Sequence, residues 1–320
     1  LSAVPAPAAA PARRRTSDLI VLLVVWAALV LLFASATSGF LSTATLGSVA
    51  NRIPALLLVA TGMTLLMVTG GIDLSVGSVL GFCGAVAGVA MADHGLGLPG
   101  AIALAVGLGL ALGAVNGLVS VKLRLPSFIV TLGMLEIARG LAFLTTHSQT
   151  KYIGDAVLGL GTPIAGLVVS PAFLVSVAVV AAGQALLSLT VFGRHLVAVG
   201  ANLEAAAISG VPVDRPRIAA HALVGALTGL AAVFSASRLG SADPNAGVGF
   251  ELSVIAAVVV GGTSLLGGRG SVAKTFLGVL IVATLEAGLV QVGASEPVKR
   301  VVTGLVIVAA VLADGWRRRP

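Results

Sequence analysis

Residues 19–37 read LIVLLVVWAALVLLFASAT, an apolar run without a single charge. A helix needs about 20 such residues to cross the hydrocarbon core of a bilayer, where lipid offers backbone N–H and C=O groups no partner outside the helix. This stretch is therefore read as a transmembrane helix. It is too long for a signal peptide and has no clear cleavage pattern, so it is expected to be retained, fed by a disordered cytoplasmic tail over residues 1–18 rich in Ala, Pro and Arg.

Outward from this run the pattern recurs. Apolar segments bounded by Gly, Pro or charge lie near 53–69, 75–91, 98–120, 127–145, 170–191, 217–237, 250–266, 275–292 and 298–313, giving ten spans in all. Composition agrees: 58% of the 320 residues are apolar and only 10% are charged, too few charges for a water-soluble surface. The expectation is an all-α membrane protein, one polytopic bundle of about ten transmembrane helices over residues 19–315 with a basic cytoplasmic C-terminus at 316–320. Spans two and three, joined by Gly70-Gly71-Ile72-Asp73-Leu74, also read as one broken helix pair.

Lys and Arg orient the bundle, because short cytoplasmic loops retain positive charge. With the amino terminus inside, Arg13–Arg15, Lys122, Arg124, Arg194, Arg215, Arg217, Arg269, Lys274 and Arg317–Arg319 fall on the cytoplasmic side. Only Arg52, Lys151, Arg238, Lys299 and Arg300 fall outside, and Arg139 lies within a span. Both termini are then cytoplasmic. The net charge of +7 follows from topology; the basic clusters lack the interleaved aromatics that would stack nucleic-acid bases. A lone Cys83 excludes a disulfide within the chain, and no H-E-x-x-H or G-x-S-x-G motif supplies a metal site or a nucleophile.

Glycine is abundant, 41 residues, and Gly107, Gly109 and Gly113 are spaced for close helix approach. Gly70-Gly71 before Ser75-Val76 is echoed by Gly261-Gly262 before Ser271-Val272, an echo too weak in so Gly-rich a chain to establish a repeat. The longest cytoplasmic loop, 192–216, contains a short helix: Asn202 caps its start, Glu204 suits the positive end of the dipole, Ala205, Ala206 and Ala207 favour helix, and Gly210 with Pro212 ends it. A smooth Ala-faced helix outside the membrane is a docking surface.

Glu204-Ala205-Ala206 followed by Gly210 resembles the loop through which permeases of ATP-binding-cassette importers contact their ATPase subunits. The segments 71–78 (GIDLSVGS), 125–133 (LPSFIVTLG) and 261–265 (GGTSL), with Arg139-Gly140 and Pro244-Asn245-Ala246-Gly247, sharpen the likeness to the ribose-type sugar permeases over about residues 50–315. Two positions depart from that pattern: Lys274 stands where glycine is usual, and Ser253 where aspartate is frequent. The resemblance implies two related bundles, with first and sixth spans added, in a bacterial inner membrane. It further implies a second permease copy, most simply a homodimer, and a monosaccharide, pentose or hexose, delivered by an extracytoplasmic sugar-binding protein. ATP and Mg are used by a separate ATPase, and this chain binds no cofactor. Coupling to that ATPase falls to Asn202, Glu204, Ala205, Ala206 and Gly210.

Candidates for the translocation pathway are Asp73, Ser75, Phe128, Thr131, Glu136, Arg139 and Thr263. Asp73 sits among glycines where a helix can unwind against a polar route, or it caps the helix that follows. Glu136 and Arg139, three apart on one helical face, are placed to pair. Gly268 to Thr275 nearly matches a phosphate-binding loop but joins two apolar spans and lacks the preceding strand. The competing function is an ion-coupled secondary transporter with Asp73, Glu136 and Arg139 as its relay. No catalytic constellation supports an enzyme.

Overall fold

The computed structural model describes residues 13–316. The expected tail of 1–18 and the basic end at 316–320 thus lie largely outside the described residues, and the first helix, α1 (Arg13–Ala36), begins six residues before the apolar run. The rest of the first half is α2 (Thr43–Arg52), α3 (Pro54–Val68), α4 (Val76–Ala92), α5 (Leu98–Lys122) and α6 (Ser127–Thr146). A two-residue strand β1 (Lys151–Tyr152) and one turn of helix, α7 (Asp155–Leu158), lead into α8 (Pro171–Leu189), α9 (Val191–Ala201) and α10 (Leu203–Ile208). Then come α11 (Asp214–Leu239), β2 (Ser241–Ala242), α12 (Phe250–Val260), α13 (Val272–Gln291) and α14 (Glu296–Trp316).

The chain is the expected all-helical polytopic bundle. Each of the ten expected spans contains a helix, yet among the described residues only α1, α5, α6, α8, α11 and α13 are by themselves long and apolar enough to cross a membrane. The pair α2–α3, bent by 44°, makes a seventh. The bend falls where Pro54 opens α3, a position whose missing N–H costs no hydrogen bond.

The expected span 250–266 is not one helix. Helix α12 stops at Val260 because Gly261 and Gly262 follow, Gly262 with φ +83°, and it is entered from the non-helical segment 243–249. Gly88 of α4 faces Ala242, Gly81 the carbonyls of Ala246 and Pro244, and Gly77 that of Gly247. At 1.5 Å per residue, Gly88 to Gly77 is about 16 Å of α4, so the segment descends that far beside it. The 11 residues of α12 add about 16 Å more, and together they make one crossing of the roughly 30 Å core. The chain there runs first through a series of hydrogen-bonded turns, 243–249, and then as helix.

At the centre, α5 and α11 run antiparallel in close contact. Gly117 meets Ile218, Gly113 meets His221, Gly109 meets Gly225, and Gly229 meets Ala105. Added side-chain carbons would strike backbone at these sites, so the glycines permit a separation no larger residue allows. Gly107, expected to share this role, faces open space instead; it points away from α11.

Gly109→Val should therefore lower stability by about 1–3 kcal/mol, the usual cost of overpacking, while Gly107→Ala should leave it unchanged. Thermal unfolding in detergent micelles separates the two, and equal effects would contradict this packing.

Candidate functional site

Non-helical backbone at membrane depth must find partners within the protein. For the 243–249 segment the partner is Arg139 of α6, whose Nη1 donates to the carbonyls of Pro244 at 2.7 Å and Ala246 at 2.9 Å. The expected Glu136–Arg139 pair is therefore not formed. No described ion pair joins them; Arg139 is turned toward the descending carbonyls, and Glu136 lies exposed on the outer face of α6. Charge-assisted bonds to two otherwise unpaired carbonyls hold the guanidinium there.

The break between α3 and α4 is satisfied in the same way. Ser127 Oγ accepts the Ile72 N–H and Thr131 Oγ1 accepts the Leu74 N–H, both at 3.0 Å. Asp73, 2% exposed, accepts through Oδ1 the N–H and hydroxyl of Ser75 at 2.8 and 2.6 Å. Its Oδ2 accepts Asn116 Nδ2 at 3.3 Å. His221 of α11 lies against Gly71 and bonds through Nδ1 to the Arg217 carbonyl at 2.9 Å. Asn116 Oδ1 and His221 Nε2 remain buried without a partner, as does Thr263 Oγ1 in the second break, residues 261–271. Sequence reasoning missed Asn116, His221 and Ser127: they stand on other helices, and only the fold carries them to Asp73.

The two breaks touch. Gly268 N–H donates to the Val68 carbonyl at 2.8 Å. Gly200, in the last turn of α9, packs so closely on that carbonyl and on the Gly268 nitrogen that a side chain there would collide with both. The echo between residues 70–76 and 261–272 thus marks two breaks between helices that meet under one helix end.

That helix end leads into α10. Asn202 Oδ1 accepts the Ala205 N–H at 2.9 Å, the expected cap, and Gly210 ends the element with φ +80°. Ala206 is buried against the bundle, whereas Glu204 and Ala205 face outward. Beside them Ile208 is 84% exposed, and Leu203 is exposed as well, an apolar surface on a polar end of the protein. Ile208, outside the expected coupling set, is its most exposed apolar side chain. Of the expected pathway residues, Asp73, Ser75 and Thr131 are gathered in the first break, Thr263 is in the second, and Phe128 and Glu136 share the exposed face of α6.

A family model described as "Branched-chain amino acid transport system / permease component" matches residues 45–311. The chain is 40% identical over 268 residues to the ribose import permease protein RbsC of Escherichia coli K12, covering 82% of each. It is 38% identical over 272 residues to the L-arabinose ABC transporter permease protein AraH of Azospirillum brasilense, covering 81% of this chain and 76% of that one. To the autoinducer 2 import system permease protein LsrC of Enterobacter sp. 638 it is 37% identical over 282 residues, covering 88% and 82%. No solved structure matches.

Arg139→Met keeps an unbranched apolar stem and removes the guanidinium donors. The segment 243–249 should then exchange its amide hydrogens faster, and stability should fall by at least about 1.5 kcal/mol. Hydrogen exchange read by mass spectrometry tests this, and unchanged protection over that segment would overturn the assignment.

Proposed function

The chain belongs to the branched-chain amino acid transport system / permease component family, and from that membership we propose that it imports a monosaccharide, a pentose or hexose, delivered by an extracytoplasmic binding protein. As a permease of the ATP-binding-cassette class it is a multi-pass membrane transport subunit, not itself the catalyst. ATP and Mg belong to the partner ATPase, which docks on α10. The α10 end is then cytoplasmic, in keeping with the Lys and Arg distribution, and both termini lie on that side. The permease domain spans residues 19–315, with its coupling loop at 192–216.

The observation that carries this reading is the contact of Gly200 with both interhelical breaks. A push on α10 reaches α9 and arrives, through rigid backbone contact, at the Val68 carbonyl and Gly268. Two-state elements respond to such a displacement by changing population, not by continuous deformation. The first break carries Asp73 and the second Thr263, so energy entering at the docking surface is delivered to polar groups in the bundle.

A second copy of the chain fits the exposed face of α6. Glu136, mid-helix, cannot rest in lipid as a charge, and Gly133 and Gly140 beside it leave open space on the same helix. A partner permease and a polar route between the copies, lined by Phe128 and Glu136, account for both features. The ion-coupled alternative loses support, because no described hydrogen bond or ion pair links Asp73, Glu136 and Arg139 into a relay.

Glu204→Arg or Gly210→Leu should weaken retention of the neighbouring ATPase while the permease still inserts; unchanged co-purification would count against docking at α10. Gly200→Val should retain the ATPase yet lower sugar uptake in proteoliposomes by roughly 5–150-fold, the range of a typical coupling free energy. Uptake at the wild-type rate would show that this contact transmits nothing.

A further inference from the structure

At the end of the bundle opposite α10, between α2, α11, α12 and α13, lies a cavity of about 500 Å3, within the range of roughly 300–1,000 Å3 typical of small-molecule sites. It extends along α13 from Gln291 to Ala283, about 12 Å by the helix rise. Arg52 and Arg238 line it together with Glu286, Ser235, Ser253 and Phe250.

Among the described residues, the side chains of Arg52, Arg238, Glu286, Ser235 and Ser253 make no hydrogen bond or ion pair. Arg52 acts electrostatically on both Arg238 and Glu286, so the three charges share one space. The nearby Lys299 is already paired with Glu296 at 2.6 Å, so Arg52 is the cation facing Glu286 within the cavity, and no direct ion pair joins them. Arg52 and Arg238 are exposed and Glu286 is half-buried, so the cavity opens to solvent and its polar groups are free to meet a ligand.

We infer that this cavity is a monosaccharide-binding site contained within a single permease chain, separate from the route between copies; the inference rests on the sugar reading above. Guanidinium groups only donate, a carboxylate only accepts, and serine hydroxyls do either. A neutral polyol, whose every hydroxyl both donates and accepts, satisfies all of them. A simple anion would suit the two arginines and be opposed by Glu286. Phe250 adds an aromatic surface against the C–H face of a sugar ring, and Ser253, with a small side chain, leaves room at the floor.

The test uses the permease–ATPase complex in nanodiscs without its binding protein, with tritiated D-ribose and L-arabinose as probes. One of them should bind saturably at one site per permease chain. Glu286→Gln and Arg238→Gln should weaken that binding about tenfold each, Ser253→Ala should weaken it less, and Ser253→Phe should abolish it, with ATPase retention unchanged throughout. Uptake with the binding protein present is measured in parallel. Uptake without direct binding, or binding indifferent to these variants, overturns this site and leaves the proposed function standing. Neither binding nor uptake of a wider monosaccharide panel removes both. Tighter competition by D-gluconate than by the neutral sugar overturns the ligand class.

Discussion

In hydrocarbon an unpaired backbone N–H or C=O has no water to turn to, and each costs several kcal/mol. A chain made of uninterrupted helices meets this condition automatically. This protein does not, because at 69–75, 243–249 and 261–271 its backbone leaves the helical path. Each departure is compensated by a group from elsewhere in the sequence. Arg139 holds the Pro244 and Ala246 carbonyls, Ser127 and Thr131 hold the Ile72 and Leu74 amides, and Gly268 bonds to the buried Val68 carbonyl at the end of α3. The positions of α6, α9 and α12 follow from these obligations.

Glycine makes the compensation geometrically possible. A segment of turns can lie closely beside a helix only if the helix offers a smooth track, and Gly77, Gly81 and Gly88 provide one along α4. The crossing of α5 and α11 uses the same device, and it brings Asn116 and His221 within reach of the first break. Packing in lipid has little hydrophobic drive, so close approach and satisfied polar groups carry a burden that core burial carries in water.

These features also bear on transmission. A helix that is hydrogen-bonded along its whole length moves as a rod, whereas a broken span can rearrange at its break. The two breaks meet each other and the end of α9 within backbone contact, leaving little slack between the α10 surface and the interior. The buried atoms without a partner among the described residues, Asn116 Oδ1, His221 Nε2 and Thr263 Oγ1, belong to this same region.

The amino-acid sequence by itself determined the solvent, the helical class, the positions of most spans and the cap and stop of α10, because these depend on local composition, on 20-residue runs and on residues within one helical turn. The glycine-flanked Asp73 was legible as a break for the same reason. The destination of Arg139 was not: spacing of three offered Glu136 as a neighbour, while the carbonyls that bind it lie more than 100 residues away. The descent of 243–249 beside α4 was equally hidden, since Asp243-Pro244-Asn245 reads as an ordinary loop before a span starting at 250. Which glycines pack and which, like Gly107, face outward was also decided by the fold. So was the gathering of Arg52, Arg238 and Glu286 around one cavity, because proximity between distant helices is a property of their packing and leaves no periodic mark in the chain.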